Sequence, residues 1–146
     1  MKKIILSLLI FLMFSCSNDL DKVVSKAWEK CKNNTSCIVD FADLMTFEWD
    51  TMCFYSVGYS LEEINENLGF ELREWRDVGD RVIFLNKGKV VYHQEWFPTP
   101  SKPPKGTRFV AEYPITVDRF KFKIGKPEAK FEVIKNDKAF YLRSIR

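Results

Sequence analysis

The sequence holds a single histidine, His93, among 146 residues. No metal centre or catalytic pair that needs two imidazoles can form within it, and a His-based triad is confined to that one position. Its four cysteines, at positions 16, 31, 37 and 53, include no pair of CxxC spacings, so the ligand pattern of a structural zinc site is missing. Excess charge of one sign is also scarce. Lys plus Arg number 23 and Asp plus Glu 20, a formal net charge of +3, which does not suit a generally basic nucleic-acid binder. No apolar run approaches the ~20 residues needed to span a bilayer as a helix. There is no internal repeat, no low-complexity tract and no domain linker. The chain does have 46% apolar and 15% aromatic residues, too many for a disordered segment, and a length suited to one domain.

The longest apolar run lies at the start. Lys2 and Lys3 precede Ile4 to Phe14, which is interrupted only by Ser7. This has the charge and length of the n- and h-regions of a signal peptide. Met13-Phe14-Ser15-Cys16 follows, with a small residue directly before the cysteine. The segment resembles the lipobox of bacterial lipoproteins in a relaxed form, since Met13 and Phe14 occupy positions where Leu and a small residue are usual. The resemblance implies cleavage before Cys16, a diacylglycerol on its thiol and an acyl group on its new amino terminus. Residues 1–15 are then a signal peptide, 16–19 a lipid-anchored tether, and 20–146 a single domain. Ser17, rather than Asp, follows the cysteine, which by the same resemblance favours the outer membrane over the inner. The membrane thereby becomes a partner through the anchor, another envelope protein is a further candidate, and nucleic acid is out of reach. A plain secretory signal with an incidental Cys16 is the alternative.

Charge is unevenly spread beyond the signal. Residues 16–80 hold 14 acids and 6 bases, and residues 81–146 hold 6 acids and 15 bases, giving nets of −8 and +9. Two oppositely charged faces would explain this, as would halves that interleave and pair their charges.

The periodicities predict an α+β domain, with two short N-terminal helices packed on an antiparallel sheet of five to seven strands. Leu20, Val23, Val24, Ala27, Trp28 and Cys31 recur at helical spacing over residues 19–31, with Asn18 or Asp19 as cap. Ser60-Leu61-Glu62-Glu63 is a capping box opening a helix over 61–68, and Gly69 is its stop. Strands are expected at 37–41 and at 47–55, the latter with a bend near Asp50-Thr51. A hairpin is expected at 81–85 and 90–96 around Asn86-Lys87-Gly88-Lys89, and further strands at 117–124, 129–134 and 139–145. Phe97 to Thr107 (FPTPSKPPKGT) has too many prolines for a central strand and reads as a stiff exposed loop. The capped helix ending in Leu68-Gly69, followed by a hairpin, resembles small helix-and-sheet lipoproteins of the outer-membrane assembly machinery. Phe47-Glu48-Trp49-Asp50 with Glu63-Ile64 and Leu68-Gly69 is similar to small envelope proteins of unknown function. Neither resemblance brings an activity.

With Cys16 lipidated, three thiols can form one bond and leave one free. Cys31 with Cys37 is the preferred pair, since export favours disulfides, and a link of either to Cys53 is the rival. The candidates for partner binding are Tyr92 and Trp96 together with Lys102, Lys105 and Arg108 of the proline-rich region. Aromatic side chains on stiff segments bind at low entropic cost, though the aromatics would serve equally as core. Lys121, Lys123, Lys126 and Lys130 could extend a basic patch, or simply blunt sheet edges. Asp40, Asp43, Glu48 and Asp50 form an acidic cluster that could in principle supply a carboxylate pair for hydrolysis. No catalytic residue, metal or cofactor is assigned. The leading expectation is a non-catalytic envelope lipoprotein that binds a protein or another envelope component. The alternatives are an inhibitor or immunity-type protein against a secreted hydrolase or toxin, and a carboxylate-dependent hydrolase.

Overall fold

The computed structural model describes residues 19–33, 37–73, 79–97, 102–115 and 119–145. The signal segment, Cys16 and the tether as far as residue 18 lie outside them. The chain builds three α-helices and eight strands in two four-stranded sheets. Helix α1 (Leu20–Cys31) is followed by β1 (Ile38–Asp40), the one-turn α2 (Phe41–Leu44), β2 (Thr51–Tyr55), α3 (Leu61–Leu68) and β3 (Asp80–Asn86). Then come β4 (Lys89–Trp96), β5 (Gly106–Val110), β6 (Lys121–Gly125), a 3-10 turn (Lys126–Glu128), β7 (Lys130–Asn136) and β8 (Ala139–Ser144). Sheet one runs β1-β7-β8-β5 and sheet two β4-β3-β2-β6. Every neighbouring pair is antiparallel except β5 with β8.

The α+β class therefore stands, while the expected arrangement needs three corrections. The sheet is two sheets, because alternation marks each strand's buried face but not its neighbours. Only one of the two expected helices is N-terminal, since α3 is the connection between the antiparallel neighbours β2 and β3. The eighth strand, β5, follows directly on the proline-rich run, and its partner β8 is far away in sequence. Residues expected within the first two strands also behave differently. Phe41 opens α2, whose N-cap Asp40 accepts from the Ala42 N–H at 2.9 Å. Phe47 and Trp49 precede β2 but still pack inward, Phe47 stacking on Tyr92 with centroids 5.4 Å apart.

The main core lies between the sheets and is largely aromatic. Phe109 of β5 is its hub. It meets Phe54 and Phe122 of sheet two at 5.2 and 5.8 Å, and Phe131 of sheet one at 5.3 Å. Such pairs add ~0.5–1.5 kcal/mol each beyond the area they bury. Leu20 and Val24 of α1 are fully buried in this core. A twelve-residue helix is marginal alone in water, so packing rather than propensity holds α1 in place.

Sheet two is buried on both faces in its middle, which is why β2 and β3 read as near-continuous apolar runs. Met52, Phe54, Val82 and Phe84 face the main core, while Cys53, Tyr55, Ile83 and Leu85 face Ile64 and Leu68 of α3. The capping box of α3 forms as expected: the Glu63 N–H donates to Ser60 Oγ at 3.2 Å, and the Ser60 N–H to Glu63 Oε2 at 2.8 Å. Gly69 ends the helix at φ 83°, in the left-handed region. Tyr55 OH donates to Asn67 Oδ1 at 2.6 Å, which fixes α3 onto the sheet.

The charged halves interleave. Arg108–Asp80 (3.6 Å), Lys130–Asp40 (3.8 Å) and Arg119–Glu63 each join a base of the second half to an acid of the first. Lys123 Nζ donates to the Asn67 carbonyl at 3.1 Å and so satisfies an orphan acceptor in the last turn of α3.

The first turn of α1 is tied to both sheets by one carboxylate. Asp21 Oδ1 accepts from the Thr107 N–H at 2.6 Å and from Trp96 Nε1–H at 3.3 Å. Replacing Asp21 with Ala strips two part-buried donors of their acceptor, an expected loss of about 1–3 kcal/mol for each donor left unsatisfied. Asp21→Asn keeps the Oδ1 acceptor and should lose less. Urea unfolding of the two variants checks this, and equal stability of wild type and Asp21→Ala would remove the clamp from the account.

Candidate functional site

The region built around Asp21 contains most of the residues that the sequence marks for partner binding. Asp19 caps α1, its Oδ1 accepting from the Asp21 N–H at 3.0 Å. That leaves Asp21, in the first turn, free to reach across to the loop stems. Leu20 N–H donates to Gln94 Oε1 at 3.0 Å, and Tyr92 OH donates to the same oxygen. Gly106 sits at φ +74°, and a Cβ on it would lie 2.8 Å from Asp21 Oδ2. A glycine is required there both for the left-handed backbone and for the close approach. The Gly106 N–H donates to the Lys138 carbonyl at 3.0 Å, which brings the β7–β8 turn to the same end of the molecule.

These bonds fix both stems of the proline-rich loop. Trp96, the last residue of β4, and Thr107, at the start of β5, are held by the same oxygen. Phe97 leaves the first stem 44% exposed, and Lys102 to Lys105, all exposed, lead into the second.

The five candidates thus divide. Tyr92 and Trp96 lie on the inward side of β4 and pack against the main core, Trp96 edge-on to Phe109 at 6.2 Å. Burial pushes the Tyr92 hydroxyl up to about 12. Arg108 is partly exposed and is paired with Asp80. Lys102 and Lys105 are the two that the fold presents to solvent. Asp21, the residue that organises the group, carries no local sequence signal, because its partners are 75 and 86 positions away.

A smaller cleft of about 110 Å³ lies beside this region, lined by Ser56, Asp80, Arg108, Glu112, Ile115 and Phe120 among others. Asp80, Arg108 and Ser56 among them already have partners within the fold. Asp80 Oδ1 accepts from the Val57 N–H at 2.8 Å, and Ser56 Oγ accepts from the Phe120 N–H at 2.9 Å.

The residues of the acidic cluster have separate surroundings. Asp40 caps α2 and faces Lys130, while Asp43 and Glu48 are exposed. Asp50 Oδ2 accepts from the Lys87 N–H at 2.6 Å, and this bond, followed by one from Thr51 Oγ1–H at 2.7 Å, lowers its pKa from the ordinary carboxylate value. Among the described residues no group of three or more His, Cys, Asp or Glu is placed to hold a metal ion. His93 is half-buried on the outer side of β4, 3.4 Å from Glu95, which lies 3.3 Å from the buried Arg81. Lys121 and Lys123 are turned toward α3, Lys121 lying 5.4 Å from the Tyr59 ring. Lys126 lies 5.5 Å from the Trp49 ring.

Cys31 and Cys37 are placed at disulfide distance, with Cα atoms 5.5 Å apart, so the end of α1 is joined to the start of β1. Cys53 is fully buried beneath α3, and burial pushes its thiol up to about 11. No helix among the described residues is long and apolar enough to cross a membrane. No family model, no curated protein and no solved structure matches the chain.

The thiol arrangement has a direct chemical signature. Maleimide should leave residues 31–53 unlabelled in the native protein, label Cys53 alone after unfolding without reductant, and label all three after reduction. Peptide mapping reads the positions. A Cys53-linked peptide would overturn the pairing.

Proposed function

We propose that the protein is a lipid-anchored component of a bacterial cell envelope, a non-catalytic domain that works by binding another envelope component. The observation that carries this reading is the order Lys2-Lys3, Ile4 to Phe14, Ser15-Cys16, followed within four residues by Leu20, the first residue of the packed domain. A triacylated Cys16 would hold the domain firmly. A single acyl chain binds a bilayer reversibly, whereas two or more, at ~0.8 kcal/mol per buried methylene, anchor it stably. Ser17 in place of Asp directs the reading to the outer membrane. A cysteine pair at disulfide distance accords with an oxidising compartment. The non-catalytic part of the reading is supported by the carboxylates, since Asp40 and Asp50 act as a helix cap and a turn acceptor.

Expression in a bacterial host with labelled palmitate should give an acylated, membrane-bound product. Cys16→Ala should abolish both the label and the membrane association of the processed chain. Undiminished labelling in that variant would refute the anchor.

A further inference from the structure

We propose that the Lys102–Lys105 end of the proline-rich loop, together with Phe97, rests on the anionic headgroups of the leaflet that holds the acyl chains. The domain is thereby oriented on the membrane as well as tethered to it. This rests on Cys16 being the lipid anchor.

Three Cα–Cα steps of 3.8 Å separate Cys16 from Asp19, so the N-cap of α1 stays within about 11 Å of the acylated residue. An anionic membrane attracts basic groups over a Debye length, about 8–10 Å at physiological salt. The start of α1 is therefore held within little more than one Debye length of the anchored residue, and the field reaches it whenever the tether is less than fully extended.

Asp21, two residues beyond the cap, binds both stems of the loop, at Trp96 and at Thr107. Lys105 is bonded directly to Gly106, whose Cα lies against the Asp21 carboxylate. The loop cannot swing away from the helix start without breaking those bonds. The basic end and the anchored end are consequently the same end.

Lys102, Lys105 and Lys138 are exposed here, and the Lys138 carbonyl accepts from Gly106. Asp19 and Asp21 keep their charge but are part-buried and turned onto backbone N–H groups and the Trp96 indole, whereas the three lysines and Asp137 of the β7–β8 turn face solvent. Phe97, 44% exposed and next to the Trp96 stem, adds an apolar ring at the other stem of the loop, and the headgroup layer suits both kinds of side chain, since basic ones meet phosphates and apolar ones enter the acyl boundary. Pro103 and Pro104, also exposed, stiffen the segment between the two lysines, so less ordering entropy is lost on contact.

The test uses the processed, acylated protein reconstituted in vesicles of phosphatidylethanolamine with phosphatidylglycerol, compared with the same protein in neutral detergent. Brief amine acetylation followed by mass spectrometry reads each lysine separately. Lys102 and Lys105 should react about fivefold more slowly on the vesicles, the factor set by ~1 kcal/mol of surface attraction per lysine. Lys126 and Lys130 should react equally in both. The N-terminal peptide of the same digest reports acylation. If it is acylated and Lys102 and Lys105 react equally in both settings, the membrane contact is overturned while the anchor stands. Protection that requires added envelope proteins would overturn it as well, in favour of an acidic protein partner. If the N-terminal peptide is not acylated, anchor and contact fail together.

Discussion

The Asp21 carboxylate is the constraint on which the arrangement of α1, the loop stems and the open sides of the two sheets depends. Sheet two ends at β4 and sheet one at β5, and no strand pairing joins these edges. One oxygen of Asp21 does so instead, accepting from the Trp96 indole and the Thr107 amide. The same turn of helix contributes the Leu20 N–H to Gln94 and buries Leu20 in the core. Hydrogen bonds to an ionised acceptor are roughly twice as strong as neutral ones, and a negative charge in a first helical turn is favoured by the peptide dipoles. Gly106 follows from this contact, since any side chain there would collide with the carboxylate.

The clamp also explains how a parallel strand is tolerated in an otherwise antiparallel molecule. Between β5 and its parallel partner β8 the chain passes through β6 of sheet two, the 3-10 turn and β7 in place of a helical crossover, and the register of β5 is set at its start, where Gly106 is bonded to Lys138 and Thr107 to Asp21. Once β5 is placed, Phe109 enters the space between the sheets and touches aromatic rings of both. A polar anchor at the rim therefore positions the apolar hub. The reverse dependence holds too, because the burial that keeps Trp96 against Phe109 also holds the indole N–H toward Asp21.

Features decided by near neighbours were legible in the sequence. The Ser60–Glu63 box, the Gly69 stop, the Asp19 cap and the hairpins around Lys87-Gly88 and Asn136-Asp137 all formed where the residues placed them. The closeness of Cys31 and Cys37 was legible for the same reason, six positions apart across one short loop. Features decided by distant partners were not. β5 lay hidden because prolines in the loop masked the alternation of Thr107 and Phe109, and its ladder is made with residues more than thirty positions on. Asp21 reads locally as one more first-turn acid. Tyr92 and Trp96 looked equally suited to surface and core, and the choice fell to the core because β4 turns both of them toward the aromatic core between the sheets.

The charge segregation can now be given a physical meaning. An acidic first half and a basic second half would repel internally if each folded by itself, but β6 and β7 bring the bases beside α3 and β1. Arg119, Lys123 and Lys130 are absorbed in this way, by Glu63, the Asn67 carbonyl and Asp40. Lys102 and Lys105 belong to the same basic half, yet the clamp sets them at the rim, on exposed backbone leading into β5. A base that pairs within the fold serves stability, whereas one held at the rim by a bond to its neighbour is available to an external anion. The separation between these two groups of lysines is set by backbone connectivity and not by composition, and so a nearly neutral total can coexist with lysines left to solvent at the rim.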